Sequence, residues 1–382
     1  MKRVVVAMSG GVDSSTTAAI LKDEGYDVIG ISMSLYPFCE ETHHLSFPQN
    51  RCCSLQGIND ARSVALKLKI PFYILNFQKE FQEKVIDHFC QEYQKGRTPN
   101  PCILCNQEIK FKLLLQKAEA LKAQYLATGH YARIEKNSRG YLLKKGVEGN
   151  GEQSYFLYTL TQEQMAQILM VLGDYGKEEV RKIAKKFGLP VAEKEASQEV
   201  CFIDGDYREF LSSHFPSLPG EIVDFEGNVL GKHEGVACYT VGQRRGIGAY
   251  GRPFYVVSID PEHNRIVVGP EQELFSEELI AKDLHFISPE EIRRDLRVVA
   301  KIRYNHVGEE AVVSPTDEGK VVVRFRKPVR SATPGQAVVF YDGDVVLGGG
   351  TIEKIVKSPS LPAVARATAR GRLNLFPRGE RK

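Results

Sequence analysis

The sequence predicts an α/β chain. A doubly wound parallel sheet comes first, followed by small β-rich domains that include a C-terminal β-barrel. Three observations predict this. Up to about residue 190, short apolar strand-like runs alternate with helical stretches. From Pro216 onward the texture changes to short alternating runs broken by Gly and Asp-Gly turns. The length, 382 residues, exceeds what one ordinary core holds.

In chain order, "RVVVAM" reads as a buried strand and "SSTTAAILKDEG" as a helix ending at Gly25. "DVIGISMSL" is a second strand, and "INDARSVALKLKI" a helix stopped before Pro71. "FYILNF" gives a third strand, "KEFQEKVIDHFCQEY" a helix, and "QYLATGH" a further strand after the helix that follows "NPCILCN". Two more helices are expected in "TQEQMAQILMVLG" and "KEEVRKIAKKFG". The later runs "EIVDFEGNVLG", "FYVVSIDPEHNRIVVG", "VVAKIRYN", "KVVVRFRKPV" and "QAVVFYDGDVVLGGG" read as antiparallel strands. This sets expected domains at 1–210, 211–280 and 281–358, with a basic tail, 359–382, expected to be disordered.

Composition narrows the function classes. The chain is 42% hydrophobic and 26% charged, and no apolar run approaches the ~18 residues of a membrane span. The N-terminal apolar run is too short for a signal peptide, so a cytoplasmic location with no membrane partner is expected. Eight cysteines then argue against a disulfide framework. The net charge of +3 neither demands nor excludes nucleic acid. Cys39, His43, His44, Cys52 and Cys53 have zinc-like side chains at irregular spacing, and read as a loop with packed or incidental thiols.

Two motifs carry chemistry. "SGGVDS", Ser9 to Ser14, follows the first strand and opens the first helix. Its glycines allow backbone N–H groups to approach an anion, and the helix N-terminus favours phosphate. Asp13 fits such a loop if it holds Mg²⁺ or a helix N–H. The bland alternative is a tight strand–helix turn, and the loop lacks the Gly-Lys-Ser/Thr ending of a Walker A motif. "NPCILCN" places Cys102 and Cys105 in a C-x-x-C spacing. By itself it is compatible with half a zinc site, a redox pair, iron–sulfur ligands or one working thiol.

The loop resembles the pyrophosphatase loop of the N-type ATP pyrophosphatases, whose fold is adenine nucleotide alpha hydrolase-like. In order, "AMSGGVDSS", "RTPNPCILCN", "ATGHYAR", "EQSYFLYTL", "SQEVCFI", "YTVGQRRGIG", "KIRYN" and "TPGQAVVFY" resemble the motifs of the bacterial tRNA-specific 2-thiouridylases. The likeness runs from residue 7 to about residue 341. It implies ATP-dependent 2-thiolation of the wobble uridine in Lys, Glu and Gln tRNAs, through adenylation of the C2 oxygen. It implies ATP binding at Ala7, Met8, Ser9, Gly10, Gly11, Val12, Asp13 and Ser14, with Mg²⁺, and with Met33 and Gly129 bordering the adenosine. Cys105 matches the family nucleophile and Cys201 the persulfide carrier, with a transient Cys105–Cys201 disulfide. Asn100, Pro101 and Cys102 match a target-base contact. His130, Gly151, Glu152, Gln153, Arg303, Tyr304 and Gln336 fall in tRNA-contacting segments. The implied partners are the anticodon arm of tRNA and an upstream sulfur donor or relay of the cysteine desulfurase system.

The sequence departs from the family at Cys102, where aspartate is usual, and a thiol cannot do a carboxylate's proton work. Cys102, Cys105 and Cys201 instead offer three soft ligands, so a 4Fe–4S cluster on this trio is an alternative route for the same thiolation. An amide-forming ATP-pyrophosphatase ligase and a non-catalytic RNA-binding protein are the other readings. The first lacks a glutaminase segment, and the intact loop and three cysteines oppose the second. Arg244 and Arg245 read equally as phosphate contacts or as solvated charges.

Overall fold

A computed structural model of the chain describes residues 1–36, 54–148, 151–195, 200–203, 205–288 and 294–356. The cysteine–histidine loop from Cys39 to Cys53 and the basic tail, 359–382, lie outside the described residues.

The first sheet takes β1 (Arg3–Ala7), β2 (Asp27–Ser34), β3 (Phe72–Asn76) and β4 (Tyr125–Ala127), all parallel. Both faces are covered, and the strand sequences show why. Side chains alternate along a strand, so Val4, Val6 and Val28 enter one apolar cluster while Val5, Ala7, Ile29, Ile31 and Met33 enter another. The first face packs under α1 (Val12–Asp23) and α2 (Leu55–Leu68), through Ala18, Ala19, Ala61, Val64 and Ala65. The second packs under the helical run Gln78–Phe81, Gln82–Ile86 and Asp87–Gln94, and under the helix that Pro101 opens. The doubly wound arrangement is therefore observed.

One expected helix stops early and gives way to a strand. Thr161 and Gln164 form a reciprocal capping box, but the helix lasts only from Gln162 to Ala166. Two strands, β5 (Ala132–Asn137) and β6 (Gly140–Lys145), precede it; after it, β7 (Ile168–Leu169) pairs in parallel with β4. The apolar run "ILMVL" suits a buried strand as well as a helix, and an open sheet edge decides between them. The first sheet thus has five strands, in the order β3-β2-β1-β4-β7.

The middle region forms a four-stranded sheet from β8 (Gly220–Val223), β9 (Val229–His233), β10 (Tyr255–Asp260) and β11 (Arg265–Gly269). Next come β12 (Phe275–Phe286), β13 (Leu296–Lys301), β14 (Glu309–Pro315), β15 (Val321–Arg330), β16 (Ala337–Asp342) and β17 (Val345–Val356). A β12–β17 pairing closes these six into a barrel. β12 runs straight through the boundary expected near residue 280. The β5–β6 hairpin of the first half also pairs with β17, so the barrel's sheet is extended by a distant piece of chain.

Candidate active site

At the end of β1 the chain turns through Gly10, whose φ is +77°. A Cβ there would lie 2.0 Å from the carbonyl oxygen of Gly57 in α2, so the turn and the packing both require glycine. Ser14 ties the loop together. Its Oγ accepts from the Ser9 N–H at 3.1 Å, pairs with Ser9 Oγ at 3.2 Å and donates to the Gly11 carbonyl at 3.3 Å. Gly129, just beyond β4, faces this turn so closely that a Cβ would meet Ser14 N at 2.7 Å.

A cavity of about 240 Å³ opens over the loop. Its lining includes Ala7, Met8, Ser9, Gly11, Val12, Asp13, Ser14, Met33, Gly129, His130 and Gln153. Gly10 supports the turn without lining the cavity. Tyr131 donates its hydroxyl to Asp13 Oδ1 at 2.6 Å. Burial raises the Asp13 carboxyl above its ordinary range, against the lowering pull of Tyr131, Lys177 and Arg181. Burial and nearby Lys110 hold His130 well below the usual histidine range, so its ring is neutral, and its Nδ1 pairs with Thr128 Oγ1 at 2.8 Å.

Three cations reach the cavity that sequence reading missed: Lys110, Lys177 and Lys194. Lys194 Nζ donates to the Gly10 carbonyl at 3.2 Å and to Asp60 Oδ2 at 2.5 Å, bracing the loop from outside. No local motif marks these lysines, because the fold gathers them from separate helices and turns.

"NPCILCN" is the start of a helix rather than a loop before one. Asn100 caps it by accepting from the Cys102 N–H at 3.1 Å, and Pro101 takes the first helical position. Cys102 is exposed and Cys105 is buried. The helix continues in π-helical turns through Cys105–Leu114, which bring Lys110 to the cavity. Cys201 lies in a turn and is half-buried. Its neighbour Phe202 is wedged between Phe81, Phe89 and Phe210, with ring centroids 5.3–5.8 Å apart. Cys105 and Cys201 both pack on the apolar cluster beneath the sheet.

Among the described residues no group of three or more His, Cys, Asp or Glu side chains could hold a metal ion. Cys102, Cys105 and Cys201, the alternative cluster ligands, do not form such a group in this structure.

The residues expected to meet tRNA fall into two groups. Gln153 accepts from the Tyr131 N–H at 3.1 Å, and Gly151 (φ +97°) passes close to Lys177, so this segment borders the cavity. Glu152 is 5% exposed and accepts from Ser154 N–H and Oγ, while Lys301 sits 3.4 Å from its other oxygen. In this state its carboxylate faces protein. Tyr304 packs on Phe156 at 4.6 Å, and the Phe156 carbonyl accepts from Asn106, next to Cys105. Arg303 is half-buried beside it. Gln336 donates from Nε2 to the Thr98 carbonyl at 2.9 Å, tying the barrel to the loop before Asn100.

Comparison with known proteins decides the family. Three family profiles match in succession: "tRNA methyl transferase HUP domain" over 2–205, "tRNA methyl transferase PRC-barrel domain" over 208–270, and "Aminomethyltransferase beta-barrel domain" over 276–352. The tRNA-specific 2-thiouridylase MnmA of Acetivibrio thermocellus is 52% identical over 358 residues, 92% of this chain and 99% of the relative. MnmA 1 of a Thermoanaerobacter species is 51% identical over 361 residues, 93% and 99% of the two chains. The chain belongs to the tRNA-specific 2-thiouridylase MnmA family. The MnmA of Geobacter metallireducens is likewise 52% identical over 357 residues, covering 92% of this chain and 97% of its own. Within this chain, the residues invisible to a motif reading are the cavity lysines and the aromatic wedge around Phe202, which depend on long-range packing.

Proposed function

We propose that the protein thiolates C2 of a tRNA wobble uridine, using ATP to activate the C2 oxygen and a Cys201 persulfide to supply sulfur. One observation carries the reading: two thiols about a hundred residues apart in sequence meet one apolar cluster beside a glycine–serine loop cavity. MnmA relatives at 51–52% identity support it. The family profiles carry a methyl-transferase name, but methyl transfer needs neither pyrophosphate release nor a second thiol.

In this reading the phosphates of ATP lie on the Ser9–Ser14 loop and the helix N-terminus, with Lys110, Lys177 and Lys194 offsetting their charge. Asp13 would hold Mg²⁺: it lines the cavity among anion-binding groups, and that ion commonly takes one or two carboxylates. When bound, the ion supplies further neutralisation of phosphate charge. Met33 and Gly129 border the adenosine.

The target base must leave its stack to be reached. Its C2 oxygen attacks the α-phosphorus, the bond to pyrophosphate breaks and N3 gives up its proton. The outer sulfur of the Cys201 persulfide attacks C2, and AMP leaves with the C2 oxygen. Cys105 thiolate then attacks Cys201 Sγ. The sulfur–sulfur bond to the base breaks, its electron pair stays on the sulfur bound to C2, and N3 regains a proton as 2-thiouridine forms. The remaining Cys105–Cys201 disulfide is reduced by an external dithiol. Asn100, Pro101 and Cys102 flank the base. His130, the Gly151–Gln153 segment, Arg303, Tyr304 and Gln336 serve tRNA binding directly or by bracing it.

The 1–210 region carries the chemistry in this proposal, and the middle sheet and barrel hold the anticodon arm of Lys, Glu and Gln tRNAs. A cysteine-desulfurase-type donor loads Cys201. ATP and tRNA as substrates argue for a cytoplasmic setting; among the described residues no helix is long and apolar enough to cross a membrane. The test is incubation of the purified chain with ATP, a persulfide donor and unmodified tRNA, followed by nuclease digestion and mass spectrometry. Formation of 2-thiouridine, lost in Cys201→Ser, is expected. Undiminished product from Cys201→Ser would overturn the persulfide route.

A further inference from the structure

We propose that Tyr36 is a positioning residue for sulfur transfer: its hydroxyl holds the Cys201 sulfur in the one orientation from which sulfur is received and passed on. This rests on the persulfide role of Cys201 proposed above.

Tyr36 is 4% exposed, and its hydroxyl donates to Cys201 Sγ at 2.8 Å across 165 positions of sequence. Its own place is fixed from two sides. Gln78 Nε2 donates to the Tyr36 carbonyl at 2.8 Å and to Ser34 Oγ at 2.9 Å, which pins the chain just beyond β2. The Tyr36 ring stands edge-on to Phe81 at 5.4 Å. Phe81 in turn meets Phe202 at 5.8 Å, so the partner that orients Tyr36 also anchors the residue after Cys201. Cys201 itself belongs to no helix or strand; within its turn the Ile203 N–H donates to the Val200 carbonyl at 3.3 Å. A cysteine side chain has three staggered rotamers open to it in principle. The Tyr36 hydroxyl selects among them by occupying one sulfur lone pair.

The orientation matters because exchange at sulfur is directional. In the loading step, Cys201 thiolate attacks the outer sulfur of a donor persulfide, R–S–SH. A bond forms between Cys201 Sγ and that sulfur, the donor S–S bond breaks, and the proton ends on the departing R–SH. The Cys201 persulfide is left as its anion. In the release step, Cys105 must approach Cys201 Sγ opposite the outer sulfur. Both steps require the Cα–Cβ–Sγ arm to point one way, and misplacement of reacting groups by about 1 Å costs up to ~100-fold.

The experiment uses full-length Tyr36→Phe, which keeps the ring and its packing. Three rates are measured: tRNA-dependent pyrophosphate release, persulfide loading of Cys201 from glutathione persulfide by rapid quench and peptide mass spectrometry, and single-turnover 2-thiouridine formation. Loading and thiouridine formation should fall about tenfold, with pyrophosphate release and the KM for ATP and tRNA within about twofold of the parent. A merely structural role would lower all three rates together, and that result, or loading at the parental rate, overturns the proposal. Cys201→Ser separates the two layers. If it still thiolates tRNA, the persulfide reading itself fails; if it is inactive while Tyr36→Phe loads normally, only the role of Tyr36 falls.

Discussion

Gly129→Ala tests whether the cavity depends on backbone closeness rather than on side chains. A Cβ at this position would lie 2.7 Å from Ser14 N, 2.8 Å from Asp13 C and 3.0 Å from Asp13 Cβ. The tightest of these falls about 0.7 Å short of the 3.4 Å at which ordinary contact begins. Neither side can yield cheaply: Ala127 and Thr128 are buried, and Ser14 is bonded to both Ser9 and Gly11. Overpacking of this kind costs about 1–3 kcal/mol. In a domain of this size that lowers Tm by roughly 3–10 °C. The larger effect falls on chemistry, because the displaced atoms belong to Asp13 and the loop, and a shift approaching 1 Å costs up to ~100-fold. Thermal unfolding and tRNA-dependent pyrophosphate release measure the two effects. Gly11→Ala is the control for stability, since among the described residues a Cβ there meets only Ser9 Oγ, at 3.5 Å. Gly129→Ala turning over ATP within twofold of the parent, with unchanged Tm, would refute the close-approach argument.

Other outcomes follow from the same geometry. Cys105→Ser should lose 2-thiouridine formation while still releasing pyrophosphate, as read by parallel assays of the two products; loss of both would place Cys105 in adenylation instead. Burial raises the Asp13 carboxyl, so its protonated form favours the fold; that stability is full below the unfolded carboxylate value and is lost as pH rises through the folded one. Asp13→Asn should therefore melt above the parent at pH 7, with the gap closing near pH 3, and should lose pyrophosphate release. Anaerobically purified protein should carry iron and acid-labile sulfide well below one cluster per chain, because the three thiols are not gathered; a stoichiometric cluster would restore that route. Gln336→Ala should cost about 1 kcal/mol of stability through its lost bond to the Thr98 carbonyl, seen in denaturant unfolding.

What could be read from sequence was local. The turn from β1 to α1 announces itself because its glycines and serines are consecutive; the cap and proline before Cys102 are an equally local signal, yet the sequence reading set the helix after them. The strand at Ile168–Leu169 could not be read, since the vacant place beside β4 that it fills is a property of the assembled sheet. The barrel contact of the β5–β6 hairpin was hidden for the same reason. Glu152 shows the limit at the site: its motif position suggests an RNA contact, while its carboxylate is satisfied by Ser154 and faces Lys301. Tyr36 carries no motif at all, and only folding brings its hydroxyl to Cys201.

The placement of Thr98 explains why a three-part protein serves one reaction. Its N–H donates to the Pro334 carbonyl at 2.9 Å and its carbonyl accepts from Gln336, both at the barrel. Its hydroxyl pairs with Thr240 Oγ1 in the middle region at 2.5 Å. Nearby, Gly96 passes so close to Ile259 of β10 that a Cβ would come within 2.7 Å. All of this happens within four residues before Asn100, the cap of the helix that carries Cys102 and Cys105. A helix start is set by its cap, and this cap hangs from a loop held by both accessory regions. Force on either region reaches the thiol-bearing turn through a few short bonds, without crossing the parallel sheet. Cys102, exposed at that turn, and Cys105, buried one turn later, thus inherit their positions from the parts of the chain proposed to hold tRNA. The C-x-x-C spacing separates an outward thiol from an inward one, and the inward thiol packs into the same apolar cluster that the Cys201 turn packs against.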